Sequence, residues 1–277
     1  MIRLKENEFT DIVEYMRMHY GINLEKKKIL IECRMSKTLE KQGLSSFGSY
    51  MELLKKDRTE KIAAELINRL TTNYTYFFRE VSHFQILTSE IFPKLFQQKR
   101  YGPLNIWCAG CSTGEECYTL AMTLQEYMLQ SGTCSLVRIL GTDISEDVIS
   151  RAQRGVYPIR EIDSIPQSLR PRYCHVEADH KNFQIDEKLK EYIRFKRQNL
   201  MEPSAAEKYD LILCRNVMIY FDRTSRKKLV RKLENSLNAG GYLLIGHAEL
   251  LARDETCLES MHPAVYLKKE REDKENL

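Results

Sequence analysis

Residues Leu104 to Tyr118 limit the folds open to this chain. Leu104-Asn105-Ile106-Trp107-Cys108-Ala109 is a short apolar run that predicts a buried strand. The backbone then turns at Gly110 and Gly114. A helix follows, with Tyr118, Ala121, Met122 and Leu124 on apolar spacing. Strand, glycine turn and helix open the nucleotide-binding crevice of an α/β sheet. The dinucleotide fingerprint G-x-G-x-x-G is absent, and no Gly-Lys-Ser/Thr follows to make a phosphate loop. Glu115 and Glu116 fill the first helical turn, where a phosphate would otherwise sit and where they repel it. A positively charged adenosine cofactor without phosphate fits, and S-adenosylmethionine is such a molecule.

The surrounding pattern supports a sheet built on this unit. Leu136 to Thr142 predicts a second strand ending in Asp143, whose carboxylate can accept both hydroxyls of a ribose or cap the helix that follows. Tyr209 to Asn216 predicts a buried strand ending in Arg215 and Asn216. A helix over Thr224 to Leu237 stops at Gly240-Gly241, and strands over Tyr242 to Gly246 and Val265 to Lys268 close the sheet. Between residues 166 and 195 the rhythm breaks. Tyr173 to Val176, Phe183 to Ile185 and Tyr192 to Phe195 predict an inserted antiparallel flap, with the subdomain spanning about 170–198. Gly110/Glu116, Asp143, Asn199 and Arg215/Asn216 all fall where strands end. Open α/β sheets bind ligands at that edge.

Ahead of the sheet the chain predicts helices only. Apolar spacing marks Phe9 to Tyr20, Glu25 to Gln42, Phe47 to Lys56 and Thr59 to Leu70. Lys27, Arg34, Lys37 and Lys41 share one side of the second helix. Residues 71–80 read as an extended linker rich in aromatics, and a helix follows from Val81 to Gln97. The division is therefore a helical domain over 1–72, a linker over 73–80 and an α/β domain over 81–277. The charged tail, Lys269 to Leu277, reads as a frayed end.

Charge and cysteine content exclude several classes. The net charge of +4 is too small to imply a nucleic-acid partner. No apolar run approaches the ~20 residues of a membrane span, and the first residues lack a signal-peptide core. A cytoplasmic monomer without membrane insertion is the expectation. Eight scattered cysteines fit reduced thiols. Cys108-x-x-Cys111 lacks the second pair of a zinc site and reads as turn packing more than as a redox pair, so no metal is expected.

Four motifs carry a family resemblance. Thr-Asn-x-Thr-x-Phe-Phe-Arg-Glu (72–80), Ser-Thr-Gly-Glu-Glu (112–116), Thr-Asp-Ile (142–144) and Cys-Arg-Asn-Val-Met-Ile-Tyr-Phe-Asp (214–222) resemble the chemotaxis receptor methyltransferases, the CheR family. Their order and spacing match over nearly the whole chain. Cys117 is a departure, standing where many relatives carry proline after the paired glutamates. The resemblance implies a Rossmann-like methyltransferase domain with an inserted β-subdomain behind an all-helical N-terminal domain. It implies methyl transfer from S-adenosylmethionine to glutamate carboxylates of chemoreceptors, leaving S-adenosylhomocysteine. It also implies cofactor contacts from Asn73, Thr75, Arg79, Gly110, Glu116, Asp143, Asn199, Leu200, Cys214, Arg215 and Asn216, with Arg79 and Tyr220 flanking the reacting centre. A methyltransferase on another substrate and a non-catalytic adenosine-ligand sensor are the alternatives.

Two expectations concern the partner. The basic face of Lys27, Arg34, Lys37 and Lys41 complements acidic, exposed receptor helices. Some relatives capture a receptor C-terminal peptide as an added strand on the flap, through a glycine-containing loop. Residues Val176 to Asn182 contain no glycine and carry Glu177 and Asp179, so tight peptide binding is not expected here.

Overall fold

The structure is a computed structural model describing residues 2–99, 102–203 and 207–269. Apart from Lys269, the tail expected to fray lies outside the described residues. The first helices are α1 (Glu6–Tyr20), α2 (Lys28–Lys41), α3 (Phe47–Lys56) and α4 (Lys61–Leu70). They bury the apolar positions of their 3.6-residue repeat, including Ile12, Met16, Ile31, Met35, Leu39, Leu66 and Ile67, in a core of their own. Helix α1 ends at Gly21 in the left-handed region (φ 70°), where a side chain would strike the Phe221 ring at 2.8 Å.

After the linker, α5 (Val81–Ile86) runs through a π-helical turn (Leu87–Ile91) into α6 (Phe92–Gln98). The α/β domain continues as β1 (Leu104–Ala109), α7 (Glu115–Ser131), β2 (Val137–Asp143), α8 (Glu146–Arg154), β3 (Val156–Pro158), α9 (Arg170–Tyr173), β4 (Cys174–Val176), β5 (Asn182–Ile185), α10 (Glu187–Lys190), β6 (Ile193–Arg197), β7 (Tyr209–Cys214), α11 (Arg223–Ser236), β8 (Leu237–Ile245), β9 (Glu259–His262) and β10 (Val265–Leu267). The main sheet has the order β6-β2-β1-β7-β8-β10-β9. Its strands are parallel from β6 to β8, and β10 and β9 are antiparallel additions. Separate cores form on its two faces. Among the described residues no helix is long and apolar enough to cross a membrane.

Two strand assignments differ from expectation. The segment Tyr192 to Phe195 does not belong to the flap. Its residues Ile193 to Phe195 lie in β6, which pairs parallel with β2 at the edge of the main sheet. The flap is β3-β5-β4, so its first strand, Val156–Pro158, precedes the expected boundary. Gly240 and Gly241 do not stop α11 either. That helix ends at Ser236, and both glycines lie inside β8, where the register with β7 shifts. A Cβ on Gly241 would approach the Asn238 carbonyl at 2.9 Å and that of Asp210 at 3.1 Å, which explains the residue type.

Candidate cofactor site

The carboxyl ends of β1, β2, β6 and β7 meet at one edge, and the linker crosses above them. Between them lies a cavity of about 290 Å³. Asn73, Thr75 and Arg79 line it from the linker, Gly110 and Glu116 from the glycine turn, and Asp143 from the end of β2. Asn199 and Leu200 follow β6, Arg215 and Asn216 follow β7, and Tyr220 comes from the next turn. Cys214 is the exception. It is fully buried, lines no part of the cavity and packs into the core beneath β7 with Trp107, Ile212 and Leu229. The alternation of β7 turns its side chain away from the strand's end.

Gly110 permits the close turn over β1. Its φ is 86°, and a Cβ there would sit 2.4 Å from Val217. The amides of Gly110 and Cys111 both donate to the Thr142 carbonyl at 2.8 Å, tying the turn to the end of β2. Asp143 completes the tie. Its carboxylate accepts the Ser112 amide at 2.9 Å and the Ser145 amide at 3.0 Å. Burial raises its pKa, and those amides oppose the rise. Two lone-pair positions are thus engaged by protein, and an ionised carboxylate has others for a ribose.

Arg215 is the electrostatic centre. Its side chain is 2% exposed and is flanked by Glu116 (2.9 Å) and Glu80 (3.1 Å). It also donates to the Arg79 carbonyl and lies 5.4 Å from the centre of the Phe84 ring. Burial raises both carboxyl pKa values, but the outcomes differ. Glu80 has Arg215 and an Asn216 amide at 3.2 Å, and it finishes below the usual range. For Glu116 burial outweighs Arg215 and the more distant Arg79, Glu80 adds repulsion, and the carboxyl finishes above. Glu116 therefore gains from a further cation or donor inside the cavity.

The remaining polar groups are braced by backbone. Asn199 donates to the His19 carbonyl at 2.9 Å and accepts the Met201 amide at 3.0 Å, so α1 reaches the site. Arg79 donates to the Tyr74 carbonyl at 3.0 Å, lies 6.0 Å from the centre of the Tyr76 ring and pairs with no carboxylate among the described residues. The Tyr220 hydroxyl donates to the Thr72 carbonyl at 3.3 Å. Ser112 donates to the Asn73 carbonyl at 2.9 Å.

Sequence reasoning missed several contributors. Glu80 stands in the quoted linker motif without an assigned role. Glu249 is buried and accepts the amides of Gly246 (2.7 Å), Asn216 (2.9 Å) and Ile219 (3.2 Å). A glutamate shortly after an apolar strand was its only signal. Ile22 and Leu24 line the cavity from the connection between α1 and α2, which reads as an ordinary loop in sequence. Lys27, just before α2, and Lys37 and Lys41 on it are exposed, but Arg34 is partly withdrawn. Arg34 donates to the carbonyls of Arg69 (3.1 Å) and Thr71 (2.9 Å), securing the end of α4 and the start of the linker.

The geometry fits S-adenosylmethionine. The first turn of α7 presents Glu116 to the cavity, and the lining guanidinium of Arg215 is already held by two carboxylates. When bound, the cofactor supplies an electrophilic methyl group on a sulfonium. Glu116 would hold its ammonium and Asp143 its ribose, with the linker covering it.

Comparison with known proteins agrees. Residues 73–267 match the family described as CheR methyltransferase, SAM binding domain. Residues 7–71 match the CheR methyltransferase all-alpha domain. A chemotaxis protein methyltransferase of Borreliella burgdorferi is 42% identical, over 96% of each chain. Chemotaxis protein methyltransferase 2 of Pseudomonas aeruginosa is 33% identical over 94% of this chain and 92% of its own. That of Salmonella typhimurium is 32% identical over 90% of this chain and 85% of its own. With its helical domain, its S-adenosylmethionine-binding sheet edge and both halves matched, this chain belongs to the CheR family of chemotaxis methyltransferases.

Proposed function

We propose that the enzyme methylates glutamate carboxylates on the cytoplasmic helical region of chemoreceptors, forming glutamate methyl esters and S-adenosylhomocysteine. One observation carries this reading: among the described residues no histidine or lysine lines the cavity, and the two carboxylates that do, Glu116 and Asp143, are engaged by Arg215 and by backbone amides. An amine or hydroxyl substrate would need a base to remove its proton. A free glutamate has a pKa near ~4.3 and is already a nucleophile at neutral pH.

The chain's task is then alignment and exclusion of water. Methyl transfer forms a C–O bond to the carboxylate and breaks the C–S bond, whose electron pair stays on sulfur. Arg79, free of any carboxylate partner among the described residues, orients the incoming glutamate. Tyr220 donates a hydrogen bond to the carboxylate without the loss of nucleophilicity that a tight ion pair brings. Residues 1–72 dock the receptor through Lys27, Lys37 and Lys41, residues 73–80 cover the cofactor, and residues 81–277 carry the chemistry. In this reading the enzyme acts in the cytoplasm as a monomer.

The flap contributes little affinity for receptor C-terminal peptides. Its turn is tight: Glu177 donates to the Asn182 carbonyl at 3.0 Å, and His180 adopts φ 54°. The outer strand β4 spans only Cys174–Val176. Saturable low-micromolar binding of such a peptide in calorimetry, lost on mutating the flap, would contradict this. The central test is radiolabelled methyl transfer to receptor-rich membranes. Label on receptor, released by mild base as a carboxyl ester is, is expected. Base-stable label would indicate another acceptor, and cofactor binding without transfer would indicate a sensor.

A further inference from the structure

Behind the cofactor cavity, on the far side of Glu80, two histidines meet. One potential ligand atom from each of Glu80, His83 and His247 lies within 4.8 Å of the others. Glu80 Oε2 is 3.5 Å from His83 Nδ1, and the two imidazole rings are 4.5 Å apart at 72°. We infer that Glu80, His83 and His247 form a binding site for a zinc-like divalent transition metal, and that an ion there weakens cofactor binding in the adjacent cavity.

The independent sign of a ligand is His83. Its side chain is fully buried, yet neither ring nitrogen has a hydrogen-bond partner. Buried polar atoms are normally satisfied, and an imidazole lone pair is satisfied by a metal as well as by a donor. Burial, with Arg215 and His247 nearby, pushes His83 down to about 4, so its ring is neutral at physiological pH and keeps one nitrogen lone pair free. His247 is exposed and gives an ion access from solvent. Ser82 Oγ lies 3.3 Å from His247 Nε2.

The donor set selects the metal. Two imidazoles and one carboxylate suit zinc, nickel or copper and disfavour magnesium and calcium. Tetrahedral zinc at its usual bond lengths places neighbouring ligand atoms roughly 3.3–3.5 Å apart. Glu80 and His83 already stand at that spacing, and a modest inward shift of the exposed His247 completes it. Three protein ligands leave a fourth position for water.

The effect on the cavity follows from Glu80. The oxygen nearest His83 is also the one that Arg215 holds at 3.1 Å, so an ion and Arg215 compete for it. Drawing Glu80 toward the metal releases Arg215 from one of its two carboxylates and throws its charge more fully onto Glu116. Glu116 then has less need of a cofactor ammonium. Coupling between the sites is reciprocal, so bound cofactor also weakens the metal. This coupling rests on the adjacent cavity being the cofactor site; metal binding itself does not.

The test uses the full chain with Cys33, Cys134 and Cys257 changed to serine, because these exposed thiols would bind zinc independently. Zinc titration by calorimetry and the visible absorption of cobalt(II) report the site directly. One ion per chain, with the cobalt spectrum of four-coordinate nitrogen and oxygen ligation, is expected. His247→Ala should weaken it by roughly tenfold to a hundredfold or more while preserving the melting temperature and metal-free methylation. Binding only in the millimolar range, or unchanged in His247→Ala, would overturn the site. Cofactor affinity should fall roughly tenfold with zinc bound and stay constant in His247→Ala. Tight zinc binding with unaltered cofactor affinity would overturn the coupling alone.

Discussion

A methyl group on Gly246 would lie 2.4 Å from the side-chain nitrogen of Asn216. These residues follow β8 and β7, and Glu249 accepts the backbone amide of each. Asn216 is held at φ 59°. Gly246→Ala must therefore displace Asn216 and the Glu80 carboxylate it touches at 3.2 Å. A stability loss of about 1–3 kcal/mol is expected, as for overpacked cores. Cofactor affinity should fall with it. Thermal melting and calorimetry on the same sample check both.

Glu115 makes stability depend on pH. It is 3% exposed, and burial pushes its carboxyl from 4.5 up to about 7. Its side chain is satisfied chiefly by the Thr113 hydroxyl at 2.7 Å. A folded-state pKa above the unfolded one means that the folded state binds the extra proton. This contribution is undiminished below about 4.5 and disappears as pH rises through about 7. Above that, ionised Glu115 is disfavoured by up to about 3 kcal/mol relative to the unfolded chain. Glu115→Gln should raise the melting temperature at pH ~8 and flatten its decline between about pH 5 and 8. Parallel melting curves for the two proteins would exclude this account.

Asp143→Ala removes an acceptor from the amides of Ser112 and Ser145 as well as from the ligand. Cofactor affinity should drop by about 1–3 kcal/mol. The melting temperature of the ligand-free protein should also drop, because the glycine turn loses its anchor. An affinity loss without any change in melting would show that the ligand contact outweighs the anchoring.

Tyr220→Phe separates chemistry from cofactor binding. The hydroxyl's protein partner is the Thr72 carbonyl at 3.3 Å, a long contact that is readily exchanged. We expect kcat to fall roughly tenfold to a hundredfold, the value of one hydrogen bond to a charged group. Cofactor affinity should hold. A variant with unchanged kcat would remove Tyr220 from the reacting centre.

Reversal of Lys27, Lys37 and Lys41 to Glu should slow receptor methylation, chiefly by slowing encounter, and leave the cofactor constant intact. The wild-type rate should decline with added salt as exposed charges are screened. Arg34→Glu should behave differently, lowering the melting temperature, because its guanidinium fastens the Arg69 and Thr71 carbonyls. A salt-independent rate would argue against electrostatic docking.

What could be read in the sequence was local. The β1–Gly110–α7 unit is legible because strand, turn and helix signals lie side by side within Leu104 to Tyr118. The spacing puts Asn199 at a strand end even though its strand reads as part of the flap. As an edge strand, β6 leaves Arg194 and Lys196 exposed, and such alternation resembles a half-solvated antiparallel strand. Gly240-Gly241 looks like a helix stop until the Asn238 and Asp210 carbonyls are placed beside it. Cys214 shares a motif with Arg215 and Asn216, but strand alternation gives it a different neighbourhood. The meeting of Glu80, His83 and His247, and the arrival of Ile22 and Leu24 in the cavity, depend on pairings distant in sequence. No local pattern encodes them.

The connection between α1 and α2 passes against the segment after Tyr220. Asn23 donates to the Tyr220 carbonyl at 2.8 Å, and Ile22 forms a bridge with Phe221. The helical domain is thus a lever whose short arm ends one peptide unit from the phenol. A target that grips the helices at the wrong tilt would turn that arm and carry the hydroxyl out of line. If receptors dock on these helices as proposed, occupancy and turnover become separable quantities, and the posture of the receptor, beyond its charge pattern, would bear on which glutamates are esterified.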